Sequence, residues 1–263
     1  MLVGVHPFEV DGRDATVRRV TPAWVVPSLL RGFSGFGSSL LLVPVLAPII
    51  GTTRAVVIST LLEGLATIML IPSNFKHTDR SRLLAMGSAA CLAIPAGHFA
   101  LLTLDPTFSN LAISAAVVLM VGVVWRGATL RLPRGTSGEI ATGLVSGFLT
   151  GFGSIGGPPL VLYILAGPGA ARQKRADVIV VAGVAQGVAL VSMIAFGLLT
   201  LAGAGDAALL APVFFGGGVL GARLFKRASE RTYQRVALGA LFGAAVGLLC
   251  INLVKLLHLN EAP

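Results

Sequence analysis

Charge is scarce in this sequence. Only 12% of its 263 residues are Asp, Glu, Lys or Arg, against roughly 25% in soluble domains. That is too little to cover a water-facing surface, so an ordinary soluble globular domain is excluded. Acidic side chains are the scarcest, 11 against 20 basic, for a net charge of +9. In a soluble chain such an excess suggests nucleic acid. In a chain this apolar it marks basic cytoplasmic loops, and no nucleic-acid partner is expected. Aromatics make up 6%, which leaves the apolar surface to Leu, Val, Ala and Ile. The two cysteines, Cys91 and Cys250, lie inside apolar runs and cannot supply a disulfide framework. The four histidines, His6, His77, His98 and His258, are scattered without metal-ligand spacing. No glycine-rich stretch contains Gly-Lys-Ser or Gly-Lys-Thr, so no nucleotide is expected to power the chain, and no cofactor is expected at all. The first 20 residues mix Glu9, Asp11 and Asp14 with Arg13, Arg18 and Arg19. They lack a basic region followed by an apolar core, so no cleaved signal peptide is expected.

What remains is hydrophobic. Apolar residues reach 55%, mean hydropathy is +0.87, and glycine contributes 33 residues. Six apolar runs approach or exceed the ~20 residues that a bilayer-crossing helix needs. They cover roughly residues 55–72, 83–104, 108–125, 178–201, 207–225 and 236–257. Helix is the expected form, because a lone strand cannot satisfy its backbone in lipid. The fold class is therefore all-α and polytopic, with the lipid bilayer as its solvent.

Two further stretches, about 24–50 and 140–167, are long but interrupted. The first reads Gly-Phe-Ser-Gly-Phe-Gly-Ser-Ser over 32–39, then Pro44 and Pro48. The second reads Thr-Gly-Phe-Gly-Ser-Ile-Gly-Gly-Pro-Pro over 150–159. A continuous helix through Gly156, Gly157, Pro158 and Pro159 is disfavoured, and arms of about a dozen residues are too short to cross alone. Gly35-Phe36-Gly37-Ser38 repeats as Gly151-Phe152-Gly153-Ser154, 116 positions later, and three long runs follow each copy. The chain divides accordingly into two repeats, about 1–130 and 131–263.

Basic side chains then choose a topology. They gather at Lys76, Arg80 and Arg82, at Arg126, Arg131 and Arg134, at Arg172, Lys174 and Arg175, and at Lys226, Arg227, Arg231 and Arg235. The loops expected around Asp105 and Asp206 hold none. If each broken stretch enters and leaves on one face, all four clusters fall on one side and both acidic loops on the other. The expected fold is then two re-entrant hairpins and six full spans. Each repeat has three crossings, so the two are inverted. The alternative is eight simple spans with weak charge bias.

Paired Gly-Phe-Gly-Ser segments, the second running into Gly-Gly-Pro-Pro, head two similar halves, and Gly-Ala-Arg-Leu stands at 221–224. In these features the chain resembles the sulfite exporter TauE/SafE family of anion permeases, from about residue 20 to 257. The first-half copy departs from the pattern, with Ser39-Leu40-Leu41 where a more glycine-rich stretch is typical. The resemblance implies a multi-pass protein of the bacterial inner membrane. It also implies export of sulfite, sulfoacetate or related organosulfonates, coupled to protons.

The residues themselves suggest where an anion would sit. A helix that starts inside the membrane leaves N–H groups free and carries about half a positive charge at its N-terminus. The candidate anion site is therefore the two breaks: Gly35, Phe36, Gly37, Ser38 and Ser39 with Arg31 just before them, and Gly151, Phe152, Gly153, Ser154, Gly156, Gly157 and Pro158. Close helix packing through glycine is the competing account, and Arg31 could instead snorkel to the interface. Glu63, deep in its run, and His98 are the candidates for proton coupling. Structural pairing of Glu63 with Arg31 or Thr60, and an interhelical bond for His98, are the plainer accounts. Arg54, Arg175 and Gln186 are candidate gate or mouth residues, the two arginines doubling as membrane-end anchors. A passive anion channel is the first rival function. An intramembrane hydrolase pairing Ser38 or Ser39 with His98 is a remote one, so an enzyme is not expected. A homo-oligomer is left open.

Overall fold

A computed structural model describes residues 39–125 and 134–225, and no strand occurs among them. The helices are α1 (Ser39–Ile50), α2 (Thr52–Ile68), the single turn α3 (Ile71–Asn74), α4 (Arg80–Thr103), α5 (Pro106–Trp125), α6 (Thr136–Gly153), α7 (Gly157–Ala166), α8 (Ala171–Ala195) and α9 (Leu201–Phe225). Arg80–Thr103, Arg172–Ala195 and Leu201–Leu220 are long and apolar enough to cross a bilayer, and α2 with Ile71–His77 makes a fourth such unit across a 42° bend. Their outer surface is greasy: Leu92 is 77% and Leu201 96% exposed, and Phe99, Leu119, Val191 and Ile194 are exposed too. Lipid rather than water suits such a surface. The expected span at 236–257 lies outside the described residues.

The closest packing joins α4 to α6. Gly143, Gly147 and Gly151 recur every fourth residue and share one face of α6. A methyl group at these positions would stand 2.3, 2.1 and 2.2 Å from the carbonyl oxygens of Met86, Ala90 and Ile94, which recur every fourth residue on α4. A methyl on Gly97 would likewise meet Phe148 O at 2.3 Å. Backbone thus lies on backbone, the arrangement by which lipid-embedded helices gain dispersion energy where no hydrophobic drive exists between them.

Helix α2 runs through the middle of the described bundle. One apolar cluster joins it to α1 and α9 through Leu42, Leu46, Ile58, Leu62, Leu210 and Phe214. Another joins it to α1, α5 and the end of α6 through Val43, Val56, Ile113, Val117, Phe152 and Ile155. Against α8 the order of contacts reverses along the chain. Methyl groups at Gly64 and Gly183 would meet Leu190 and Ile71 respectively, and Val57 clusters with Met193. The two helices are therefore antiparallel.

Ion pairs tie the helix ends together. At one end Arg82 Nη1 donates to Asp177 Oδ2 at 2.5 Å and Arg82 Nε to Glu139 Oε1 at 3.3 Å, while the Asp79 N–H donates to Asp177 Oδ1 at 2.8 Å. The starts of α4, α6 and α8 meet there. At the other end Arg54 of α2 bonds Asp206 of α9, with Nε to Oδ2 at 2.7 Å. Arg134 donates to the carbonyls of Tyr163 and Ala166 at 3.0 and 2.8 Å, and Tyr163 Oη donates to Gly135 O. The entrance to α6 thus lies beside the exit from α7.

Several boundaries differ from the sequence expectation. The broken stretch 140–167 is two helices, but its arms are unequal, 18 and 10 residues rather than a dozen each. The run expected at 178–201 is helical from Ala171 and stops at Ala195. Lys and Arg are good helix formers whose stems lie along apolar surface, so charge did not delay the start. Gly197, at φ 67, turns the chain out of the helix. Asp206 lies within α9 instead of in a loop, because Thr200 caps that helix by accepting the Gly203 N–H at 3.1 Å.

A branched side chain at Gly147 cannot fit this packing. Gly147→Val is expected to cost about 3 kcal/mol or more, read as thermal unfolding in detergent. Gly187→Ala, with nothing within 4 Å of the added methyl, should leave the midpoint unchanged or raise it.

Candidate functional site

The break between α6 and α7 is built from few residues. Helix α6 ends as Ser154 takes a left-handed conformation, φ 56 and ψ 24. Its N–H donates to Thr150 O at 2.9 Å, and the Ile155 N–H reaches back to Leu149 O at 3.1 Å. This closing pattern normally uses glycine, and a side chain there costs about 1 kcal/mol. Ser146 Oγ donates to Gly156 O at 2.6 Å, and Thr150 Oγ1 to Ser146 O at 2.8 Å. A methyl at Gly156 would lie 2.1 Å from both Ser146 O and Thr150 Oγ1. Glycine is thus required where α7 turns back over α6. Helix α7 then opens on Gly157, with Pro158 in its first turn.

The break is deeply buried. Residues 151–156 are all inaccessible, as is Pro158, and Gly157 is partly covered. Ser154 is 2% exposed, yet its hydroxyl has no hydrogen-bond partner. An unmet hydroxyl in a strained backbone is the reverse of what stability alone selects.

The other candidates fall into distinct places. Arg31, Gly35, Phe36, Gly37 and Ser38 lie outside the described residues. Ser39 begins α1. Gly151 meets the backbone of Ile94 and His98, and Gly153 faces Ile113, so both serve helix packing. Phe152 stacks on Phe148 with ring centres 5.8 Å apart. Glu63 is 5% exposed on α2, and Gln186 is 8% exposed on α8. Gln186 lies between Gly183, which faces Thr67 and Ile71, and Leu190, which faces Gly64, and so stands level with the Glu63 region of α2. His98 is wholly buried; its Nδ1 is 2.8 Å from Ser192 Oγ, and Nε2 has no partner. Arg175 is exposed, whereas Arg54 is bound to Asp206.

Residues 20–248 match the family described as sulfite exporter TauE/SafE. The chain belongs to this family. The TauE/SafE family is one of membrane transporters, not enzymes, and the apolar helices above make this member an integral membrane protein. It is similar to a protein of Cupriavidus necator named "Probable sulfite/organosulfonate exporter TauE", 26% identical over 228 residues that span 82% of this chain and 87% of that one. No solved structure matches the chain.

Sequence reasoning overlooked Ser192, Asp177, Glu139 and the Arg54–Asp206 pair of this TauE/SafE member. Such partners are 94, 95, 57 and 152 positions apart, and no local pattern announces them. The glycine ladder of α6 went unread as well, although its spacing of four is a helix-packing signature.

Ser154→Gly removes the backbone penalty and the orphan hydroxyl together. Thermal unfolding in detergent should show a gain of up to about 1 kcal/mol.

Proposed function

We propose that this protein is a secondary transporter exporting sulfite or a related small organosulfonate across the bacterial inner membrane. The anion sits at the two helix breaks. Gly151, Phe152, Gly153, Ser154, Gly156, Gly157 and Pro158 form one side. Gly35, Phe36, Gly37, Ser38, Ser39 and Arg31 form the other. Glu63 and His98 exchange protons, and one repeat rocks against the other between Arg54, Arg175 and Gln186. The observation that carries this reading is the buried, unpartnered Ser154 hydroxyl at a mid-bundle helix break. A helix beginning there offers free N–H groups and a partial positive charge to an oxyanion. The name of the Cupriavidus necator relative points to the same substrate class.

The proposed architecture is two inverted repeats, each led by a re-entrant hairpin. Four contacts support it. Helices α2 and α8, which follow the two breaks, run antiparallel. Arg134 holds the entrance of α6 to the exit of α7. Arg82 binds Asp177, and Arg54 binds Asp206. Eight simple crossings would separate the partners of both ion pairs by the full membrane thickness, so these pairs count against that alternative.

Sulfite flux into proteoliposomes tests the transport reading. A proton gradient is expected to accelerate it, and Glu63→Gln to abolish that acceleration. Absence of flux for sulfite and every organosulfonate tried would refute export, while gradient-independent flux would favour a channel. Topology has its own measurement. In a background lacking Cys91 and Cys250, Ser73→Cys and Ala170→Cys, both at exposed sites, should react with an impermeant thiol reagent from the cytoplasmic side alone. Reaction from opposite sides would restore eight crossings.

A further inference from the structure

Helix α7 is a poor anion site on its own. Pro158 and Pro159 carry no N–H, so two of the donors a helix start normally offers are missing. An oxyanion at this break needs side-chain donors from elsewhere, and α2 has them. Val56 shares one buried cluster with Phe152 and Ile155, which flank Ser154. Ser59 and Thr60 follow Val56 by three and four residues, hence lie on the same face of α2 one turn deeper. Both are wholly buried, and neither hydroxyl has a hydrogen-bond partner. Gln186 Oε1 on α8, further along α2 towards Thr67, is also without one.

We infer that Ser59 and Thr60 form the second wall of the anion site and, with Ser154, donate three hydroxyl hydrogen bonds to the three oxygens of an –SO₃ head group. This rests on the transport reading above. Several unmet buried hydroxyls are costly unless a ligand completes them. A bilayer interior supplies no water to do so. Among the side chains described, every Arg and Lys stands towards an end of the bundle, so the donors that α2 adds to the site are neutral hydroxyls.

Calorimetric titration of the purified protein with sulfite tests the inference. Ser59→Ala and Thr60→Val should each weaken binding about tenfold, the equivalent of one hydrogen bond to a charged group. Both variants should unfold at or above the wild-type temperature, since the hydroxyls they lose bond nothing in the ligand-free fold. Ser109→Ala serves as the comparison. It too removes a buried hydroxyl without a partner, but near the Thr52–Asn110 contact at the Arg54 end, and should bind as wild type does. Conservative Thr60→Ser keeps a donor and should retain affinity. Unchanged affinity in Ser59→Ala and Thr60→Val, or an equal loss in Ser109→Ala, would overturn the second wall while leaving the transporter intact. Wild-type protein that binds no sulfite or organosulfonate would overturn both readings together.

Discussion

Helices α4 and α6 approach until backbone touches backbone, and much of the described structure depends on that contact. In lipid, burying a leucine against another gains little, because the acyl chains outside are equally apolar. What remains is close dispersion contact, and glycine at 143, 147 and 151 admits it. The consequence reaches the candidate site directly. Gly151 is the last rung of the ladder and also opens the sequence that breaks the helix, so the packing that holds α6 also fixes where it must end. His98 stands on the opposing helix at that rung, which places an imidazole one layer from the break without any contact made for that purpose.

The same glycines therefore answer two questions that the sequence left joined. A glycine-rich break can serve an anion or serve packing. Here the roles divide residue by residue. Gly143, Gly147, Gly151 and Gly153 meet neighbouring helices, and Gly156 accommodates the return of α7 over Ser146 and Thr150. Within the break itself, the Ser154 hydroxyl is the side-chain atom left with nothing to bond. On the inference above, the polar chemistry of the region moves from the glycines, which supply room, to the hydroxyls of Ser154 at the end of α6 and of Ser59 and Thr60 on α2.

Among the described residues the ion pairs stand at the ends of the bundle, and the two faces use the same device. One face joins Arg82 to Asp177 and Glu139, so that α4 of the first half holds α6 and α8 of the second. The other joins Arg54 of the first half to Asp206 of the second. Each face is thus clasped by an arginine from the first half and a carboxylate from the second. Asp177 is fully buried, so its partnership with Arg82 offsets a large desolvation cost that an unpaired carboxylate would carry. Any motion that opens one face must part its clasp.

The sequence by itself determined the membrane character, the helical class and the position of the second break. These follow from composition, run length, and the backbone limits of glycine and proline, all of which act locally. It also carried the family, because the Gly-Phe-Gly-Ser and Gly-Gly-Pro-Pro segments are contiguous. It misplaced the starts of α8 and α9, since charged side chains tolerate helix and a threonine cap can precede an apolar run. Only the tertiary structure decided which polar groups meet. Asp177 finds Arg82 and His98 finds Ser192 across roughly a third of the chain, and the hydroxyls of Ser59, Thr60 and Ser154 are left without a hydrogen-bond partner. Hydrogen bonds reach about 3 Å, so their presence or absence depends on how helices distant in sequence are stacked, and no spacing along the chain encodes that.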